Sequence, residues 1–133
     1  MRLTGRTAIV TGANRGIGKA VSDAFSAEGC CLYCCARKPS EVFARFCASL
    51  AARDQTRVEP IYFDLMNSSE MKKALGEALK ASGGSCDILV NCAGVAHGGL
   101  FAMTRVQTMR DVFEINLFSQ MALTQHIIHG MMR

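Results

Sequence analysis

The run Thr11-Gly12-Ala13-Asn14-Arg15-Gly16-Ile17-Gly18 constrains this chain more than any other stretch, because it joins the strand-like residues 7–11 to the helix-like residues 16–28. Gly12 lets the backbone leave the strand in a tight turn, Gly16 removes a side chain where a ligand must approach the backbone, and Gly18 lets helix and strand pack closely. The start of the helix then offers unpaired N–H groups and a partial positive charge, which together suit a phosphate. A glycine-rich turn that only packs well gives a similar local sequence, so the strand-turn-helix setting carries the argument.

The rest of the chain repeats that setting. Half of its 133 residues are apolar, a fifth are charged and only two are proline, which reads as one domain over residues 1–133. The first helix places Ile17, Ala20, Val21, Ala24 and Phe25 on one face and ends at Gly29. Residues 31–36 form a second strand, and Pro39-Ser40-Glu41 opens a helix with Phe43, Phe46, Cys47, Leu50 and Ala51 inward. A third strand, 58–63, contains Pro60, which removes a ladder donor and so predicts a sheet edge. Asn67 and Glu70 start a third helix with Met71, Ala74, Leu75, Ala78 and Leu79 inward, and Gly83-Gly84 stops it. Residues 88–90 are a fourth strand, and a glycine-rich loop follows at 94–99. A long, kinked helical segment then runs from about residue 104 to the end, with Met109, Phe113, Leu117, Thr124, Ile128 and Met131 down one side. Four strands interleaved with helices imply right-handed crossovers, hence a doubly wound parallel α/β sheet of Rossmann type in strand order 3-2-1-4.

Charge and cysteine content narrow the function. The net charge of +4 is scattered from Arg2 to Arg133 without a block, which describes a solvated surface and not a nucleic-acid footprint. No apolar run approaches the ~20 residues that span a bilayer, and Met1-Arg2 leads almost directly into the first strand, leaving no room for a cleavable address. The seven cysteines include Cys31-x-x-Cys34, but residues three apart in a strand point to opposite faces and cannot share one ion. His126 and His129 lack carboxylate or thiol partners nearby, and His97 belongs to a solvated loop, so no metal is expected. Reduced thiols and a cytoplasmic setting follow.

The strand ends carry the chemistry. Strand two ends in Arg37-Lys38, where an acid would hold the ribose 2′-hydroxyl of NAD and an arginine accommodates the 2′-phosphate of NADP. Arg15 from the glycine turn is the second arm of such a clamp. Asp64-Leu65 ends strand three and Asn91-Cys92-Ala93-Gly94 ends strand four, and the carboxyl ends of strands in such sheets share one crevice. Asp64 also suits a helix start, and the Asn91 segment a turn. Asn116 falls on the apolar stripe of the last helix, where a buried amide needs a structural partner or a role in a site.

With these residues the chain resembles the short-chain dehydrogenase/reductase family over essentially its whole length. Residues 11–18 match the T-G-x-x-x-G-x-G turn, Asp64-Leu65 the acidic position that meets adenine, Asn91 to Gly94 the N-N-A-G motif with Cys92 in place of its second Asn, and Asn116-Leu117 the helix asparagine. The resemblance implies that Asp64 holds the adenine amino group, Asn91 braces the central sheet, Ala93 and Gly94 pack beside the adenosine ribose, and Ile17 lies under the nicotinamide. Together with Arg37, the Asn14-Arg15-Gly16-Ile17-Gly18 version is most similar to NADPH-dependent 3-oxoacyl-[acyl-carrier-protein] reductases. The family's catalytic Ser, Tyr and Lys fall beyond Arg133 in its pattern, so Asn116 is the one member of that set present. Tyr33 and Tyr62 are followed four residues on by Arg37 and Met66, not by Lys. The resemblance therefore implies the N-terminal half of an NADP(H)-dependent oxidoreductase. It would act on a small-molecule carbonyl or hydroxyl substrate, including one bound to acyl carrier protein, and form homo-oligomers through the C-terminal helix. The alternative is a non-catalytic NADP-binding or subunit-interaction module.

Overall fold

Alternation along the second strand sets the architecture. In the computed structural model, which describes residues 1–132, β2 (Cys31–Ala36) sends Leu32, Cys34 and Ala36 to one side of the sheet and Tyr33 and Cys35 to the other. Both sides are buried, as a parallel sheet covered by helices requires. The sheet order is β3-β2-β1-β4, with β1 (Thr7–Val10), β3 (Val58–Tyr62) and β4 (Ile88–Val90) all parallel to their neighbours. Register is set by Ile9 opposite Tyr33 and Leu89, and by Cys34 opposite Pro60. Pro60 thus sits on an edge strand, as its missing donor demands.

Helices α1 (Gly16–Ala27) and α2 (Glu41–Asp54) cover one face, where Phe43, Cys47 and Leu50 pack on Ala8, Val10, Leu32 and Cys34. Helix α3 (Ser68–Ala81) covers the other, with Met71, Leu75 and Ala78 against Ile9, Tyr33 and Cys35. A loop with a short 3₁₀ turn at Phe101–Met103 leads to α4 (Val106–Phe113), a π turn at Glu114–Phe118 and α5 (Ser119–Met131), whose Leu123 and Ile127 join the second layer. The π turn is the expected kink; Arg133, where that segment was expected to end, lies outside the described residues.

Two helix faces differ from expectation. On α1 the buried side is Gly18, Ser22 and Ser26, flanked by half-buried Val21 and Phe25, whereas Ile17 (77% exposed), Ala20 and Ala24 face out. A Cβ on Gly18 would lie 2.3 Å from the Gly12 carbonyl oxygen, so the helix presses its smallest residues onto the turn. On the last segment the inward positions are Ser119, Leu123, Ile127 and Gly130, while Phe113, Leu117, Ile128 and Met131 are exposed. This helix is apolar on two sides, and close approach decides between them: a Cβ on Gly130 would meet the Gly84 carbonyl and Leu79 at 3.3 Å.

Candidate functional site: a phosphate turn at the carboxyl ends of the strands

The glycine turn is held from three directions. Gly12 adopts φ +61°, and a Cβ there would sit 2.8 Å from Ala93 Cα, so the turn abuts the segment leaving β4. Buried Thr11 ties the same segment: its Oγ1 accepts from the N–H groups of Cys92 (3.1 Å) and Ala93 (3.0 Å). The N–H of Ala13 donates to the Cys35 carbonyl at 3.0 Å, joining the turn to the end of β2. Gly16 is different, with φ +55° and nothing within 4 Å of where its Cβ would point.

Helix α1 begins bare. In α2 the Ser40 side chain accepts from the Phe43 N–H (3.0 Å), and in α3 that of Asn67 accepts from the Glu70 N–H (3.1 Å); each of these helices also carries a glutamate in its first turn. Helix α1 has neither a side-chain cap nor an acidic residue there. Its first N–H groups and its dipole therefore stand unopposed behind Gly16, the arrangement a pyrophosphate needs. The residues present fit a dinucleotide.

Most of the other candidate residues lie on this turn or just beyond the ends of β2, β3 and β4. Asn14, Arg15 and Ile17 are exposed on it, and Arg37 is exposed at the end of neighbouring β2; among the described residues neither arginine is in an ion pair. Asp64, half-buried after β3, accepts from the Met66 N–H at 2.9 Å through Oδ1. Its backbone carbonyl accepts from Asn67, so it also starts α3, and the Leu65 carbonyl accepts from Ser119 Oγ at 2.7 Å. Asn91 donates to Thr124 Oγ1 (3.1 Å), and Gly94 lies 3.2 Å in virtual Cβ distance from Asn116 Oδ1.

Asn116 corrects an expectation. It is exposed, not buried, and its amide is satisfied by one partner residue: the Val95 N–H donates to Oδ1 (2.8 Å) and Nδ2 donates to the Val95 carbonyl (2.7 Å). Two residues went unrecognised in the sequence, Ser119 and Gln120, whose Nε2 donates to the Ala93 carbonyl at 2.7 Å, and Thr124, read as part of the inward stripe, instead bonds Asn91. For Gln120 and Thr124 a signal was present, since Asn116, Gln120 and Thr124 recur at every fourth position.

Neither phenol is suited to proton transfer near neutral pH. Burial pushes Tyr33 above the ordinary phenol range, with the Arg57 guanidinium 5.6 Å from its ring, and burial pushes Tyr62 up as well. All seven cysteines are unpaired, and burial raises the Cys30 thiol to about 12. Among the described residues no three His, Cys, Asp or Glu side chains gather as metal ligands, and no helix is long and apolar enough to cross a membrane.

A bare helix start behind an open glycine, at the carboxyl end of β1 in a 3-2-1-4 parallel sheet, belongs to a Rossmann-type fold. Residues 6–133 match the short chain dehydrogenase family, and the chain belongs to that family. It is 37% identical over 131 residues to nodulation protein G of a Rhizobium species, an alignment covering 98% of this chain and 51% of that protein. It is 32% identical to the ketoacyl reductase HetN of a Nostoc species, covering 98% of this chain and 44% of that one. The L-sorbose reductase of Gluconobacter frateurii, solved with NADPH and L-sorbose, superposes with a TM-score of 0.89 at 26% identity, covering 98% of this chain and 49% of that one. The chain spans about half the length of the relatives it matches.

Proposed function

We propose that residues 1–133 form the NADP(H)-binding domain of an oxidoreductase that moves hydride between the nicotinamide and a small-molecule carbonyl or hydroxyl group. The bare start of α1 behind Gly16 carries this reading. The bound dinucleotide supplies the hydride; the chain's own residues bind and orient. Backbone N–H groups at Asn14 to Gly18 receive the pyrophosphate, and Gly12 and Gly18 keep the turn in place. Arg15 and Arg37 pair with the 2′-phosphate, where an acidic residue would repel it. Asp64 and Leu65 lie on the adenine side, Asn91 braces the sheet, Ala93 and Gly94 form the floor beside the ribose, and exposed Ile17 borders the nicotinamide. Asn116 acts by holding Val95 at the mouth of the cleft. The name of the ketoacyl reductase HetN supports a ketoacyl substrate, and the NADPH in the L-sorbose reductase supports the cofactor. Seven unpaired cysteines suit a cytoplasmic setting.

Titration with NADPH and NADH, followed by nicotinamide fluorescence, tests this directly. NADPH should bind more tightly, and Arg37→Ala should weaken NADPH by roughly tenfold while leaving NADH nearly unchanged, the loss expected for one charge-assisted pair. Equal affinity for the two cofactors rejects the arginine clamp, and binding of neither rejects the cleft. A second reading, binding without turnover, is favoured for these 133 residues by buried Tyr33 and half-buried Tyr62, neither poised as a general acid. A carbonyl-reduction assay on the full-length protein separates the two.

A further inference from the structure

Residues 91–95 follow β4, and three of them hydrogen-bond to one row of the last helical segment. Asn116 bonds Val95, Gln120 Nε2 donates to the Ala93 carbonyl at 2.7 Å, and Thr124 Oγ1 accepts from Asn91 Nδ2 at 3.1 Å. Each step of four along the helix matches a step of two back along this segment. Thr124 also donates to the Gln120 carbonyl at 2.8 Å, linking the second and third rungs.

We propose that Asn116, Gln120 and Thr124 form a hydrogen-bonded ladder that sets the position of residues 91–95, and that Gln120 is a positioning residue for the phosphate turn. Gln120 acts through Ala93. The Ala93 carbonyl is held by Gln120, its N–H by Thr11 Oγ1 at 3.0 Å, and its Cα stands 2.8 Å from where a Gly12 Cβ would be, so Ala93 is the stop against which the turn rests. The other half of the Gln120 amide shows what the residue is for. Its Oε1 is buried with no partner, a cost that an apolar side chain of equal length would avoid. What Gln120 contributes here is the hydrogen bond from its Nε2 to the Ala93 carbonyl.

The inference rests on the cleft being the NADP(H) site, and its test separates the two. In the full-length protein, Gln120→Met is compared with the unsubstituted chain for NADPH affinity, Tm and hydrogen exchange at the Cys92, Ala93 and Val95 amides, with Leu123→Ala as a core control. Expected is a roughly fivefold to tenfold loss of NADPH affinity and faster exchange at those amides, with Tm unchanged or raised. Leu123→Ala should lower Tm without changing affinity well below its melting point. Unchanged affinity in Gln120→Met, or a loss of affinity that only follows a loss of Tm, overturns the ladder. If the unsubstituted protein fails to bind NADPH, the cofactor reading falls, and unchanged amide exchange in Gln120→Met then overturns the ladder independently.

Discussion

Gly16 and Gly18 are two residues apart, yet different physics requires each. At Gly18 the φ is ordinary and space is absent: a Cβ would lie 2.3 Å from the Gly12 carbonyl oxygen. At Gly16 space is open and φ is +55°. Gly18→Ala should therefore cost about 2–3 kcal/mol through overpacking against backbone, and Gly16→Ala about 1 kcal/mol through left-handed strain. Urea unfolding measures both, and cofactor titration should show that Gly16→Ala loses NADPH binding while still folded. The glycine spacing was readable in the sequence, but which glycine is steric and which is open was not, because that depends on Ala93 and the Gly12 carbonyl. Asp87 shows the same dependence on distant partners: its carboxylate accepts from the Thr7 N–H (2.8 Å) and from Arg6 (2.7 Å), which hold it below the ordinary carboxylate range. A depressed folded value means the stabilisation is present above the unfolded value of about 3.9 and is lost as pH falls through the folded one. In melts at pH 6, 4 and 3, the Tm advantage of the unsubstituted protein over Asp87→Asn should shrink on acidification; a constant gap rejects the linkage.

Elements were read well where one face alone is apolar. The stripe on α2 and that on α3 are buried as expected, because Phe43, Cys47 and Leu50, or Met71, Leu75 and Ala78, have no apolar competitor on the opposite side. The final helix has one. Phe113, Leu117 and Ile128 form an apolar row as regular as that of Leu123 and Ile127, and periodicity cannot choose between two such rows. The choice predicts a contrast: Leu123→Ala should cost about 2–4 kcal/mol by leaving a core cavity, whereas Ile128→Ala, 43% exposed, should cost well under 1 kcal/mol. Denaturant midpoints decide it, and similar losses at both positions would reject the assignment of faces. Asn116 was misplaced for the same reason, since its supposed burial followed from the wrong row; its site on the π turn, facing Val95, emerges only once the helix is docked.

On the scale of the molecule, the outward apolar row has no cover within the chain. Val106, Phe113, Phe118 and Met121 are each more than half exposed along one stretch of helix, and contiguous apolar surface of this kind commonly mediates association. We expect homo-oligomers through this helix. Light scattering should report a mass above that of one chain, and Phe113→Glu combined with Phe118→Glu should reduce it to the monomer. An unchanged mass assigns the contact elsewhere.

The sequence by itself determined the alternation of strands and helices, the edge position of β3, the glycine turn and the strand-end residues Arg37, Asp64 and Asn91. Those follow from local rules: period, proline's missing donor, and the carboxyl ends of strands that parallel crossovers bring together. Only the tertiary structure decided which face of α1 and of the last helix turns inward, that α1 starts uncapped where α2 and α3 are capped, and that Thr11 and Gln120 grip the same Ala93 from opposite sides. Those facts depend on contacts between residues as far apart as Thr11 and Ala93. Such contacts arise from close packing in three dimensions, which no local pattern encodes.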